Sequence, residues 1–180
     1  MTNANGRAPE IESRAAGLQT SSLLATVICV SSLAAIATAA IELLSLELWA
    51  MFMGWTCFGT GGGNLKRGAW ATCCLLIGLL LAMGAVQIMG SVGPMLGAFA
   101  LPVAVFVLAA IALASHLIPP LDSVPGYFLG MTTYFASGLA PGTETFVHLG
   151  GAALIGAAGG FLSFVGLGLL VKRTAGRRKA

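Results

Sequence analysis

Phe52-Met53-Gly54-Trp55-Thr56-Cys57-Phe58 and Phe128-Leu129-Gly130-Met131-Thr132-Thr133-Tyr134 lie 76 positions apart, and setting one on the other decides the fold. Phe, Gly and Thr recur at the first, third and fifth places, and the last place stays aromatic. Each heptapeptide sits in a short apolar segment, about Leu46–Thr60 and about Val124–Ser137. Each short segment lies between two longer apolar runs. In the first half these are about Ser22–Leu44 and Gly68–Met89; in the second they are about Met95–Leu117 and Thr145–Val171. A long, short, long order therefore occurs twice, as an internal repeat. Gly90, Gly93 and Pro94 predict a turn between the halves. The expected organisation is a polar tail 1–20, a first three-helix repeat 21–90, a second 91–171, and a basic tail 172–180.

Composition says what surrounds these segments. Of 180 residues, 57% are hydrophobic and 8% charged, and the mean hydropathy is +0.93. A soluble domain carries about a quarter charged residues, so this chain cannot cover a water-facing surface. A disordered chain and a nucleic-acid binder are excluded on the same ground. The four long runs have the length of membrane helices, and the clean alternation of a membrane β-barrel is absent. The chain reads as an all-α, multi-pass membrane protein whose first partner is the lipid bilayer. The first run is too long for the apolar core of a secretory signal and is expected to remain as a helix behind a short disordered tail.

Charge position then sets orientation. If the short segments cross, the chain crosses six times, and the N-terminal tail, the 61–67 loop and the C-terminal tail share one face. That face holds all nine Lys and Arg residues: Arg7, Arg14, Lys66, Arg67, Lys172, Arg173, Arg177, Arg178 and Lys179. Glu42, Glu47 and Glu144 fall on the other. Re-entrant short segments would place Lys66 and Arg67 among those acids. Positive residues in short loops stay inside, so six crossings with both termini cytoplasmic are predicted. The basic tail anchors that topology and is also suited to anionic lipid. Three crossings per half invert one half relative to the other, and short, Gly-interrupted helices at matching places point to a midplane site.

The candidate site residues follow from that geometry. Phe52, Thr56, Cys57, Phe128, Thr132, Thr133 and Tyr134 are the pore-lining candidates: hydroxyls within aromatic walls suit a small neutral solute or a dewetting gate. Thr side chains in membrane helices also bond their own backbone, which is the structural alternative. Glu47 and Asp122, at the starts of the short helices, are vestibule candidates or helix-start charges. Gly156 and Gly160 form a GxxxG packing pair, within the protomer or between protomers of a homo-oligomer. His148 follows Glu144 by four residues and shares its helical face. Gly59-Thr60-Gly61-Gly62-Gly63-Asn64-Leu65-Lys66-Arg67 lacks the phosphate-loop pattern and reads as a helix exit. Cys29, Cys57, Cys73 and Cys74 have no CxxC spacing and read as small apolar residues.

No charged residue falls at mid-membrane depth, which argues against ion coupling. No nucleophile, base and acid converge, so no enzyme, metal or cofactor is expected. The expected role is a channel or facilitator for a small neutral or weakly polar solute, with a non-transporting assembly partner as the alternative.

Gly54-Trp55-Thr56-Cys57-Phe58, followed by Gly62-Gly63 and Lys66, resembles the YcdZ-like family of small bacterial inner-membrane proteins, a domain of unknown function. Val124-Pro125-Gly126-Tyr127-Phe128-Leu129-Gly130 and Tyr134-Phe135-Ala136 are similar to a second signature of that family. The resemblance covers about residues 22–171, with departures in the longer N-terminal tail and at Leu139-Ala140-Pro141. It implies residence in a bacterial inner membrane and no substrate.

Overall fold

The computed structural model describes residues 7–62 and 64–177, with side chains over 23–62 and 64–169. The tail residues 1–6 and 178–180, Gly63 of the glycine run, and the side chains of Arg7, Arg14 and the basic tail lie outside this description. All regular structure among the described residues is helical: α1 (Arg7–Leu43), α2 (Leu48–Gly59), α3 (Leu65–Leu96), α4 (Ala100–Ala114), α5 (Val124–Ser137) and α6 (Thr143–Arg177), with short 3-10 turns at Gly97–Phe99 and Ser115–Leu117. Three stretches are long and apolar enough to cross a membrane: Leu23–Leu43, Leu65–Leu117 and Thr143–Leu169. The chain is thus an all-helical protein of membrane type.

Several boundaries depart from expectation, among them α6, which runs to Arg177 through most of the expected basic tail 172–180, and α4, which starts at Ala100. Helix α1 begins at Arg7, well before Ser22, so the expected tail 1–20 is helical over most of its length. Pro9 near the start and Glu10 and Glu12 behind it suit a helix N-terminus. The expected turn at Gly90–Pro94 lies inside α3. The helix ends at Gly97, whose φ of 53° and N–H donation to the Gly93 carbonyl close it. An apolar chain with no other hydrogen-bond partners favours keeping the helix through Pro94. Helix α5 keeps its expected bounds, because Pro125 opens it and left-handed Gly138 closes it.

The chain divides into two compact units. One comprises Met1–Ala35 with Leu162–Ala180, where Gly166 sits beside the Cys29 sulfur. The other, Ile36–Phe161, holds α2 to α5 with the adjoining parts of α1 and α6. Its core includes Ile41, Met51, Leu75, Leu79, Tyr127, Met131, Tyr134 and Leu149. Most of α4 is turned outward: Leu101, Val105, Phe106, Val107 and Leu113 are exposed. In water such an apolar surface would drive association; against lipid it is the expected exterior.

Inside this unit the short helices are seated by glycines. A Cβ on Gly130 would overlap the Leu75 carbonyl of α3, and one on Gly54 the Ala153 carbonyl of α6. A Cβ on Gly78 would overlap the Tyr127 carbonyl of α5, and one on Gly156 the Met51 carbonyl of α2. So α5 lies directly on α3, and α2 directly on α6. Successive contacts give directions. Gly126 meets Ala71 and Cys74 while Gly130 meets Leu75 and Leu79, so α5 runs parallel to α3. Gly54 faces Ala153 and Phe58 faces Gly160, so α2 runs parallel to α6. Gly61 against Gly68, and the Cys57 thiol donating to the Ala71 carbonyl at 3.1 Å, set α2 antiparallel to α3. One end of the unit therefore gathers the end of α2 with the starts of α3 and α5; the other gathers the starts of α2 and α6.

Candidate functional site

At the first end, Asn64 caps α3: its Oδ1 accepts from the backbone N–H of Lys66 at 2.9 Å and of Arg67 at 3.3 Å. This fixes Lys66 and Arg67 in the first turn. Helix α5 starts beside them, after Pro119, Pro120, Asp122 and Ser123. Between these elements opens a cavity of about 480 Å³, walled by the end of α2, by Lys66, Arg67 and Trp70, by His116, and by Asp122, Ser123 and Pro125. Asp122, expected as a vestibule charge, lies on this wall. The Ser123 side chain makes no capping bond to α5.

At the second end lies a smaller cavity of about 330 Å³, lined by Leu46, Thr143, Glu144, Val147 and His148. Glu47, the other expected vestibule charge, stands beside it. The Glu47 carboxylate accepts from Trp49 Nε1 at 3.1 Å and approaches His148 Nε2 at 4.0 Å. His148 and Glu144 line this cavity together, as their spacing predicts, and His148 also approaches the start of α2. The cross-helix contact arises because the seating of α2 on α6 brings their first turns together.

The pore-lining candidates divide between two environments. Phe52 and Thr56 share the exposed face of α2, and Phe128 and Thr132 the exposed face of α5. Cys57, Thr133 and Tyr134 are buried. The Thr133 hydroxyl donates to the Leu129 carbonyl at 2.7 Å, a bond within its own helix. Tyr134 differs: its hydroxyl is buried and has no hydrogen-bond partner. None of these seven lines the cavities at the two ends. Gly156 and Gly160 pack inside the protomer, against Met51, Trp55 and Phe58 of α2.

Lys66, Arg67, Trp70 and His116 meet at one cavity, whereas their positions in the sequence assign Lys66 and Arg67 only an orienting role. Their convergence depends on α5 lying against α3, which no local motif announces. The pair of prolines before Asp122 was the available signal of a shaped loop there. Among the described residues, no group of three His, Cys, Asp or Glu side chains could hold a metal.

Long helices with outward apolar faces define a membrane-type helical protein. The family model described as protein of unknown function (DUF1097) matches residues 27–167, and the chain belongs to this family. The match bears out the resemblance to an unknown-function family over nearly the stretch expected. No curated protein and no solved structure matches the chain.

Proposed function

We propose that the chain crosses a bacterial inner membrane six times, as two inverted three-helix halves with both termini cytoplasmic, and passes a small neutral or weakly polar solute. The observation that carries this reading is the matching of the glycine seats. Met51 and Tyr127 stand 76 positions apart, as do Gly54 and Gly130; Leu75 and Ala153 stand 78 apart, as do Gly78 and Gly156. These four contacts pair between the halves, with the short helix of one half lying on the third helix of the other. Burial follows the same pairing: Phe52 with Phe128 and Thr56 with Thr132 exposed, Cys57 with Thr133 and Phe58 with Tyr134 buried. Inverted repeats with short interrupted helices are a recurring plan of solute-passing proteins.

The solute chemistry rests on Tyr134. An unpaired hydroxyl in an apolar bundle costs about 1–3 kcal/mol. A solute carbonyl or hydroxyl accepting from it would recover that cost. No Asp, Glu, Lys, Arg or His lies within α2 or α5, which favours an uncharged solute over an ion-coupled one. Backbone contacts seat each short helix on the third helix of the other half, so passage needs one half to rock against the other. A non-transporting assembly partner is the second reading. It draws on the outward faces Phe52–Thr56 and Phe128–Thr132, and on Gly84, Gly90 and Gly93 of α3, which have open space where a side chain would stand.

Proteoliposome flux separates the two. Urea, glycerol or formamide is expected to equilibrate faster than in empty vesicles, and Tyr134→Phe to slow it about tenfold, the loss of one hydrogen bond in a closed site. Flux indistinguishable from empty vesicles for all three solutes refutes transport.

A further inference from the structure

The cavity at the first end holds more cationic character than its surroundings neutralise. Lys66 and Arg67 face one carboxylate, Asp122, across about 480 Å³, with the His116 ring on the same wall. Neither Lys66 nor Arg67 lies within ion-pair distance of any carboxylate among the described residues. The starts of α3 and α5 and the ends of α2 and α4 all border this space, so their dipoles offset one another and the excess charge is that of the side chains. Trp70 and the prolines 119, 120 and 125 supply a stiff apolar wall beside the charges. The counterpart end has the opposite character: Glu144 stands 78 positions after Lys66, and Glu47 stands 76 before Ser123. The charge therefore belongs to this cavity and is not a by-product of the repeated backbone.

We infer that this cavity binds a phosphate-bearing anion. Arg67 offers a planar fork for two phosphate oxygens and Lys66 a compact charge; His116 and Ser123 add further donors from the facing wall. Trp70 packs against the uncharged part of the ligand, as aromatic side chains do at membrane interfaces. Two sources carry this chemistry, the headgroup of an anionic phospholipid and free phosphate. The inference stands independently of solute passage.

The test uses the full chain purified in an uncharged detergent. Native mass spectrometry measures retention of phosphatidylglycerol after incubation with mixed phosphatidylcholine–phosphatidylglycerol vesicles, and equilibrium dialysis measures labelled inorganic phosphate. Lys66→Gln with Arg67→Gln is expected to lower binding of one of these probes about tenfold or more. Trp70→Leu, which changes no charge, is expected to lower phosphatidylglycerol retention severalfold and to leave inorganic phosphate unaffected, so the two sources are distinguished. Lys172→Gln with Arg173→Gln is the control for general surface charge and is expected to change little. His116→Gln, with a smaller expected loss, keeps the test open if the double variant does not fold. An equal loss from the tail variant and the Lys66/Arg67 variant overturns the inference, as does binding of neither probe to the unaltered protein.

Discussion

Replacing Gly78 by alanine adds one methyl group at the point where α3 meets the backbone of α5. The added Cβ would occupy the position of the Tyr127 carbonyl. The obstacle is main chain, so no side-chain rotation relieves it, and α5 must move off α3. Overpacking of this kind costs about 1–3 kcal/mol. A gap of about 0.5–1 Å opened along the rest of the interface forfeits a further quarter to half of its dispersion attraction. Alanine also gains up to about 1 kcal/mol over glycine as a helix former, so Gly84→Ala, in the same helix with nothing near its Cβ, is the internal reference. Gly78→Ala is expected to lose about 2 kcal/mol net, while Gly84→Ala is neutral or stabilised by up to about 1 kcal/mol, a separation of about 2–3 kcal/mol. Reversible unfolding in mixed micelles, followed by helical circular dichroism, measures both. Gly156→Ala, the counterpart in α6, is expected to cost the same as Gly78→Ala, because it meets Met51 as Gly78 meets Tyr127. Equal stability of Gly78→Ala and Gly84→Ala refutes the close seating of α5. A costly Gly78→Ala beside a harmless Gly156→Ala refutes the pairing of the halves.

Tyr134→Phe is expected to raise unfolding stability by about 1 kcal/mol while slowing flux, because it removes a buried hydroxyl without a partner; a clear loss of stability in micelles would reveal a partner for that hydroxyl. Asn64→Ala is expected to cost about 1 kcal/mol in the same unfolding measurement, through loss of the cap that holds the first turn of α3. No change would mean that Lys66 and Arg67 are positioned by something else. In a background with Cys29 and Cys73 replaced by alanine, Leu65→Cys is expected to resist an impermeant thiol reagent added outside intact cells; labelling there would restore re-entrant short segments.

The segments that the sequence delimited best are those bracketed by backbone chemistry. Helix α5 carries Pro125 in its first turn and is capped by Gly138, and both signals are local. Gly90, Gly93 and Pro94 predict a break that α3 does not make, because glycine and proline break helices in water more readily than in an apolar chain with no competing hydrogen-bond partners. The repeated heptapeptides were legible, yet the partner of each was not. Gly54 and Gly130 look alike in sequence, and nothing local says that one seats on α6 and the other on α3. The pore-lining set failed to converge for a related reason. A helix of 12 or 14 residues turns through more than three circuits, so adjacent candidates such as Thr132 and Thr133 fall on different faces, one exposed and one buried.

Lys66 and Arg67 present a remaining question of role, and orientation alone does not answer it. The other seven basic residues lie in the two tails, on the face that six crossings assign to the cytoplasm. Positive charge flanking the first and last helices is enough to hold that orientation, since charges near membrane-helix ends set it and the first helix usually dominates. The loop pair is then free to serve the cavity it lines. Lys66→Gln with Arg67→Gln should therefore leave Leu65→Cys shielded from outside reagent, while lowering retention of a phosphate-bearing ligand. If the cysteine instead becomes accessible from outside, the pair is an orientation signal, and its convergence with His116 and Trp70 loses its motive. If it stays shielded while retention falls, the pair serves the proposed phosphate-bearing ligand and not the orientation.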